Sequence, residues 1–251
     1  MDLSFVIRLG VLLVRPGALI ATAPPFGGLY TPVTVKIGLS VILAVVIAPV
    51  VPLADGFGEA GLVLVIGREL LIGLALALAV RVLLAGAELA GQLAGFQLGF
   101  AYAATVDPQT GARNNVVASI YANLALISFV GINAHHAMLR TLTRSYGLLP
   151  VGMGHVNGDM AAVVMRMLGA IFVIGAQLAA PVVIVLLIVE LAMGLLTRSV
   201  PALNIMVIGF PLRLLAGLLA LAAAIAAVPA LVRSTAPLLA EMATALAQAF
   251  R

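Results

Sequence analysis

Four stretches of this chain, Ile37 to Ala54, Asn114 to Ala134, Leu168 to Val189 and Leu214 to Val232, run without a single charged residue. A helix needs about 20 mostly apolar residues to cross the hydrocarbon of a bilayer. Inside that hydrocarbon only helices and closed barrels satisfy every backbone polar group. Apolar runs of helical length therefore predict an all-α, polytopic membrane protein. Composition agrees, with 64% of the 251 residues hydrophobic and 9% charged, where ordinary soluble domains carry roughly 25% charged residues. Two further segments bring the candidate crossings to six: Leu62 to Ala87, interrupted by Arg68, Glu69 and Arg81, and Leu3 to Thr22, which carries Arg8 and Arg15.

The same composition excludes several functions. The net charge is +4, but the basic residues are scattered singly, so no phosphate-tracking patch forms and no nucleic-acid partner is expected. Lys and Arg counted on alternate sides of six crossings give too weak an excess to set an orientation. Cysteine is absent, which removes disulfides and thiolate metal sites. The linker Asp55 to Gly61 contains GFGEAG, a dinucleotide fingerprint on paper only: it lacks a βαβ context, and Glu59 repels phosphate. Adjacent His135 and His136 project roughly 100° apart on a helix, with no carboxylate at ligand spacing, so neither metal nor cofactor is expected. Met1 to Ser4 is acidic before its apolar run, unlike a cleavable signal peptide.

Pro16, Pro24, Pro25 and Pro32 fix too many φ angles for one straight entry helix, and a broken or re-entrant start is expected. Lys36 marks a membrane boundary at the second span. Arg68, Glu69, Arg81 and Glu88 lie within apolar sequence; ionisable groups there are either functional or helix-end and subunit-pairing groups. Asn115, Ser119 and Asn123 recur every fourth residue, giving their span a polar face that meets a helix or water rather than lipid. Arg140 to Arg166, rich in Gly and Pro, predicts an irregular connection.

Two stretches concentrate the unusual residues. In the first, Gly91 to Gly111, the glycines Gly91, Gly95 and Gly99 fall on one helical stripe where another backbone can approach closely. Gln92 and Gln97 need partners or water there. Phe96, Phe100 and Tyr102 follow or flank that stripe, and Asp107-Pro108 signals a turn. In a membrane, such a loop survives only buried in protein or lining a watery cavity, so this is a candidate pore or gate element. The second is Glu190 to Arg213. Glu190, Gly194 and Arg198 step four residues at a time, Pro201 breaks the helix, Asn204 opens the next, and Gly209, Phe210 and Pro211 interrupt it early. A helical hairpin results, with Glu190 and Arg198 sharing a neighbourhood at its bend.

Together these stretches resemble the FliR family of bacterial flagellar export-gate proteins and its injectisome relatives. Gly91, Gly95, Gln97, Gly99 and Phe100 carry the first motif, completed by Asp107, Pro108 and Gly111. Glu190, Gly194, Arg198, Pro201, Leu203 and Asn204, then Gly209, Phe210, Pro211 and Arg213, carry the second. Arg15, Pro16, Pro25, Gly28, Pro32 and Lys36 match N-terminal elements. Ala202 stands where glutamine is expected, and Arg213 where lysine is usual.

The resemblance implies a non-enzymatic, channel-forming subunit in the inner membrane, within the flagellar basal body. It implies a FliP-like part over residues 1–166 and a FliQ-like helix hairpin over 167–251. Implied partners are FliP-like and FliQ-like subunits, FlhB-like and FlhA-like export proteins, and unfolded export substrates. It further implies that Phe96 to Thr110 plugs the passage, where Phe96, Phe100 and Tyr102 would form a dewetted constriction. A secondary transporter would instead show inverted repeats between its halves, and none is visible. An intramembrane enzyme would need a nucleophile with a base or a metal dyad, whereas the carboxylates here are single.

Overall fold

The computed structural model describes residues 3–28, 31–49, 51, 59–100, 115–153, 159–199 and 205–250. Apart from short turns these residues are helical, with no strand among them: α1 (Leu3–Thr22), α2 (Val33–Ile47), α3 (Glu59–Gln97), α4 (Val116–Gly131), α5 (Ala134–Leu148), α6 (Asp159–Ser199) and α7 (Ile205–Ala249). Local chemistry sets several boundaries. α1 stops just before Pro24-Pro25, and α2 begins directly after Pro32, whose fixed φ suits a helix start. α4 and the more polar α5 are bent by 69° at a break near Asn133, which adopts a left-handed φ of 59°.

The expected crossings change in number. Among the described residues three helices, α3, α6 and α7, are long and apolar enough to cross a membrane, or four if bent α4 and α5 count as one span. α2 has 15 residues and is too short. α3 is correspondingly longer than expected, since 39 residues fuse the third apolar segment with the glycine-bearing helix that follows it. α1 runs unbroken through Pro16. Proline there costs one backbone bond near the middle of the helix but does not end it. Likewise α7 begins at Ile205 and continues through Pro211, although that proline forfeits the bond to the Val207 carbonyl and crowds it. The stretch expected to be irregular is helical at both ends, with Arg140 in α5 and Arg166 in α6.

The chain divides into two compact units. The first comprises Met1–Val82, Phe129–Gly169 and Ser234–Arg251. Here α1 packs on α2 and on α3, where Gly73 leaves no room for a Cβ: one would lie 2.6 Å from the Arg15 carbonyl oxygen and 2.7 Å from the Ala18 Cβ. That close approach brings Arg15 beside Glu69, one helical turn before Gly73. Both side chains are fully buried. The Arg15 Nε donates to Glu69 Oε2 at 2.8 Å and one terminal nitrogen to Oε1 at 3.0 Å. The same guanidinium donates to Ser145 Oγ at 2.9 Å and the Leu149 carbonyl at 3.2 Å, and lies 4.1 Å from the Tyr146 ring centroid. Gly152, at φ 82°, is held on both sides: its N–H donates to Glu69 at 3.2 Å and its carbonyl accepts from Arg68 at 3.0 Å. Adjacent Arg68 and Glu69 thus do not pair with each other; both grip the turn after α5.

The second unit comprises Leu83–Ser128 and Ala170–Arg233. Its helices cross where glycine permits. A Cβ on Gly86 would lie 2.7 Å from Ile174 Cγ2, and one on Gly175 would lie 2.8 Å from Leu89 Cδ2, so α3 and α6 interlock across that pair. The division implied at residues 166 and 167 falls inside α6, which passes through it without a break.

Candidate functional site

The second unit holds most of the residues singled out in the sequence. Gly91 and Gly95 face α4. An added Cβ on Gly91 would run into the Ala118 backbone and the Val117 carbonyl, and one on Gly95 into the Asn115 amide. Gly99 does not extend that stripe. α3 ends at Gln97, Gly99 takes φ 88°, and no neighbour lies within 4 Å of where its Cβ would be. Instead the Phe100 N–H donates to the Gly95 carbonyl at 3.0 Å and the Gly99 N–H to the Phe96 carbonyl at 3.1 Å. This is the Schellman pattern of helix termination, which places glycine in the left-handed region just past the helix.

A second device closes the same helix end. Arg213, from α7, donates its Nε to the Gln97 carbonyl at 2.8 Å and a terminal nitrogen to Gln97 Oε1 at 3.2 Å. A cation at a helix C-terminus satisfies an orphan carbonyl and complements the negative end of the helix dipole. The same guanidinium pairs with Glu190 of α6 at 2.7 Å, with the side chains 36% and 44% exposed for Arg213 and Glu190. Arg213 therefore ties the end of α3 to both arms of the α6–α7 hairpin. This corrects the expected neighbourhood of Glu190: its partner is Arg213. Arg198 is exposed in the last turn of α6 with no ion-pair partner among the described residues.

The segment after α3 is anchored at its far end too. Asn115 caps α4, its Oδ1 accepting from the Val117 N–H at 3.0 Å, the role asparagine favours at a helix start. Its Nδ2 reaches back to the carbonyls of Gly91 at 3.2 Å and Gln92 at 3.4 Å. Residues 101–114 thus depart from and return to fixed points on one antiparallel helix pair. Phe96 and Phe100 stand at the departure point, 63% and 41% exposed. Tyr102, Asp107, Pro108 and Gly111 lie outside the described residues, as do Pro201, Leu203 and Asn204.

Beside Arg213 lies a cleft of about 500 Å³ lined by Val189, Glu190, Met193, Gly194, Thr197, Gly209, Phe210 and Arg213. Gly194 has open space at its Cβ position, and its carbonyl accepts from Thr197 Oγ1 at 2.7 Å. Pro211 is exposed on α7. The His135 and His136 rings lie 4.2 Å apart, centroid to centroid, in the first unit.

The Arg15–Glu69 pair escaped sequence reasoning, although both residues had been noted separately. Partners 54 residues apart leave no local spacing signal. The Glu190–Arg213 pair did leave one. Glu190 lies eleven residues before Pro201 and Arg213 twelve after it, and residues equidistant from a hairpin turn face each other.

Long apolar helices, glycine-mediated crossings and a helix pair bearing a doubly anchored segment define an all-α, polytopic membrane protein. The chain matches the family model described as bacterial export proteins, family 1, over residues 6–237. The flagellar biosynthetic protein FliR of Pectobacterium carotovorum subsp. carotovorum is 36% identical over 218 residues, covering 86% of this chain and 83% of that protein. FliR of Bacillus subtilis (strain 168) is 33% identical over 208 residues, 81% and 80% of the two chains. The Yop proteins translocation protein T of Yersinia pestis is 26% identical over 154 residues, 61% and 59% of the two. The chain belongs to the FliR family of bacterial export proteins.

Proposed function

We propose that this chain is a non-catalytic subunit of the flagellar type III export gate in the inner membrane, and that residues 96–110 obstruct its passage until unfolded substrates are exported. The observation that carries the reading is the double anchoring of the segment between α3 and α4. Gly99 and Arg213 fix its start, and Asn115 fixes its end. A plug must be held at both roots to stay in register with a pore, and apolar rings at the constriction hold ions back by dewetting. Exposed Phe96 and Phe100 supply such rings at the root.

In this reading residues 1–166 form a FliP-like part and 167–251 a FliQ-like hairpin. FliP-like and FliQ-like subunits complete the wall, and FlhB-like and FlhA-like proteins lie beside it. The relatives named FliR favour a flagellum over an injectisome as the host assembly. Replacing Ala103 to Thr110 with a short flexible linker is expected to raise ion leakage while the complex still assembles. Membrane conductance equal to that of the parent complex, at matched subunit yield, would reject the plug.

A further inference from the structure

We infer that one face of the α3–α4 pair, formed by Glu88 and Gln92 on α3 and by Asn115, Ser119 and Asn123 on α4, is a water-facing wall along which an unfolded polypeptide passes. The inference rests on the export-gate reading above and names the surface that the moving chain meets.

The register of the two helices places these residues together. Gly95 meets Asn115 and Gly91 meets Ala118, so position numbers fall on α3 as they rise on α4 and the helices are antiparallel. One step forward along a helix turns a side chain by about 100°. Seen from one end, that turn has opposite senses on antiparallel neighbours. Gln92, one step past Gly91, and Ser119, one step past Ala118, therefore swing to the same side. Glu88 lies a turn before Gln92, and Asn123 a turn beyond Ser119. The hydrogen bonds from Asn115 Nδ2 to the Gly91 and Gln92 carbonyls join the two rows.

Glu88, Gln92, Ser119 and Asn123 are all exposed. Within the face, Gln92 Nε2 only just reaches Glu88 Oε1, at 3.5 Å. Small residues, Ala85 and Ala122, occupy the same side of the two helices. On α4 the polar row ends at Asn123, since the next residue on that side is half-buried Leu126.

Three media could cover this face, and its chemistry selects one. Lipid would leave a carboxylate, the two exposed amides of Gln92 and Asn123 and the Ser119 hydroxyl facing hydrocarbon, a costly arrangement for a membrane helix. A partner helix would have to bring a donor for Glu88 and hydrogen-bond partners for each amide and hydroxyl. Water satisfies Glu88, Gln92, Ser119 and Asn123 at once. The face also runs along the arms of the same hairpin whose tip carries the segment at 101–114. A passage obstructed at that tip continues along the arms. The amides and the hydroxyl exchange hydrogen bonds with water, and between Phe96 at one end and Leu126 at the other the small alanines give an apolar side chain in transit little to hold.

The chain contains no cysteine, so single cysteines can be read without background. Q92C, S119C and N123C, each in the full export complex, are treated with a cationic, membrane-impermeant methanethiosulfonate from either side of the membrane. I127C, on a strongly exposed apolar position of α4, is the lipid-side or interface control. Nine residues past Ala118, it points directly away from α3. Only a hydrated thiol ionises and reacts, so the three wall positions are expected to label at least about tenfold faster than I127C. An export substrate arrested in transit is expected to slow them selectively.

Labelling no faster than I127C in complexes of normal subunit yield would overturn the wall. Rapid labelling of the isolated chain with full protection in the complex would also overturn it and make the face a subunit interface. Loss of the wall alongside a leaky 103–110 variant leaves the plug standing, which separates this failure from that of the export-gate reading.

Discussion

Removing either member of the Arg15–Glu69 pair alone is expected to do more damage than other single changes in the first unit, and the damage should vanish when both are replaced together. Glu69→Ala deletes two of the four hydrogen bonds made by a guanidinium with no solvent access, leaving its charge against the Ser145 hydroxyl, the Leu149 carbonyl and the Tyr146 ring. Breaking a buried pair in this way costs about 3–5 kcal/mol, most of it the penalty of an uncompensated charge. Arg15→Ala strands the carboxylate on the Gly152 N–H and also forfeits the contact over Tyr146, worth about 0.5–2 kcal/mol more. For a chain of this length each kcal/mol moves the unfolding midpoint by about 2–4 °C, so Glu69→Ala should melt about 6–20 °C below the parent and Arg15→Ala about 7–28 °C below it. Arg15→Met combined with Glu69→Leu removes both charges, and such apolar replacements of buried pairs range from neutral to about 1–4 kcal/mol stabilising. The assay is thermal unfolding of the detergent-solubilised chain, read by the surviving monodisperse fraction. If a single variant fails to express, recovery of yield in the double variant reports the same coupling. Single variants melting within about 2 °C of the parent, or a double variant as unstable as the summed singles, would refute the reasoning.

The two kinds of glycine in the α3 motif should lose stability for different reasons when substituted. Gly91→Val forces α3 and α4 apart against the Ala118 backbone at about 1–3 kcal/mol. Gly99→Ala meets no neighbour and costs only the left-handed backbone, about 1–2 kcal/mol, while Gly99→Asn should recover part of it; equal losses for alanine and asparagine in thermal unfolding would count against the left-handed assignment. Glu190→Ala should lower stability by less than about 1 kcal/mol, because its ion pair is more than a third exposed. Arg213→Met should cost more than Glu190→Ala, since it also uncaps α3 at Gln97; identical melting of the two variants would show that the ion pair, and not the cap, is what Arg213 contributes.

Helix content was legible because an apolar run of helical length in a membrane has almost one solution. Glycine spacing pointed to the α3–α4 contact, for Gly91 meets the Ala118 backbone and Gly95 the Asn115 side chain. It misread Gly99, because a helical stripe and a Schellman stop differ by whether the helix continues, and spacing alone does not decide that. The charges at Arg15 and Glu69 looked like two separate interruptions of apolar segments. Only the fold shows that each is the other's reason for being there. The count of crossings failed for a related reason: windows of hydropathy register where charge is absent, whereas a helix ends where its backbone can no longer continue. The medium covering Ser119 and Asn123 was left open between a helix and water, since periodicity identifies a face but not its occupant.

The lengths of α6 and α7 have a consequence for how the chain must be housed. At about 1.5 Å per residue, α6 with its 41 residues and α7 with its 45 are about 62 and 68 Å long, about twice the 30 Å depth of the hydrocarbon. Their charge-free stretches, Met167 to Val189 and Leu214 to Val232, are about 35 and 28 Å long and fill that depth by themselves. What overhangs towards the hairpin turn is still greasy: Leu191, Leu195 and Leu196 on one arm, Val207, Ile208 and Phe210 on the other, all largely uncovered. Oil cannot wet a surface that rises above it, so this collar belongs to neighbouring proteins. A chain made without them would stick together by its tip before its waist.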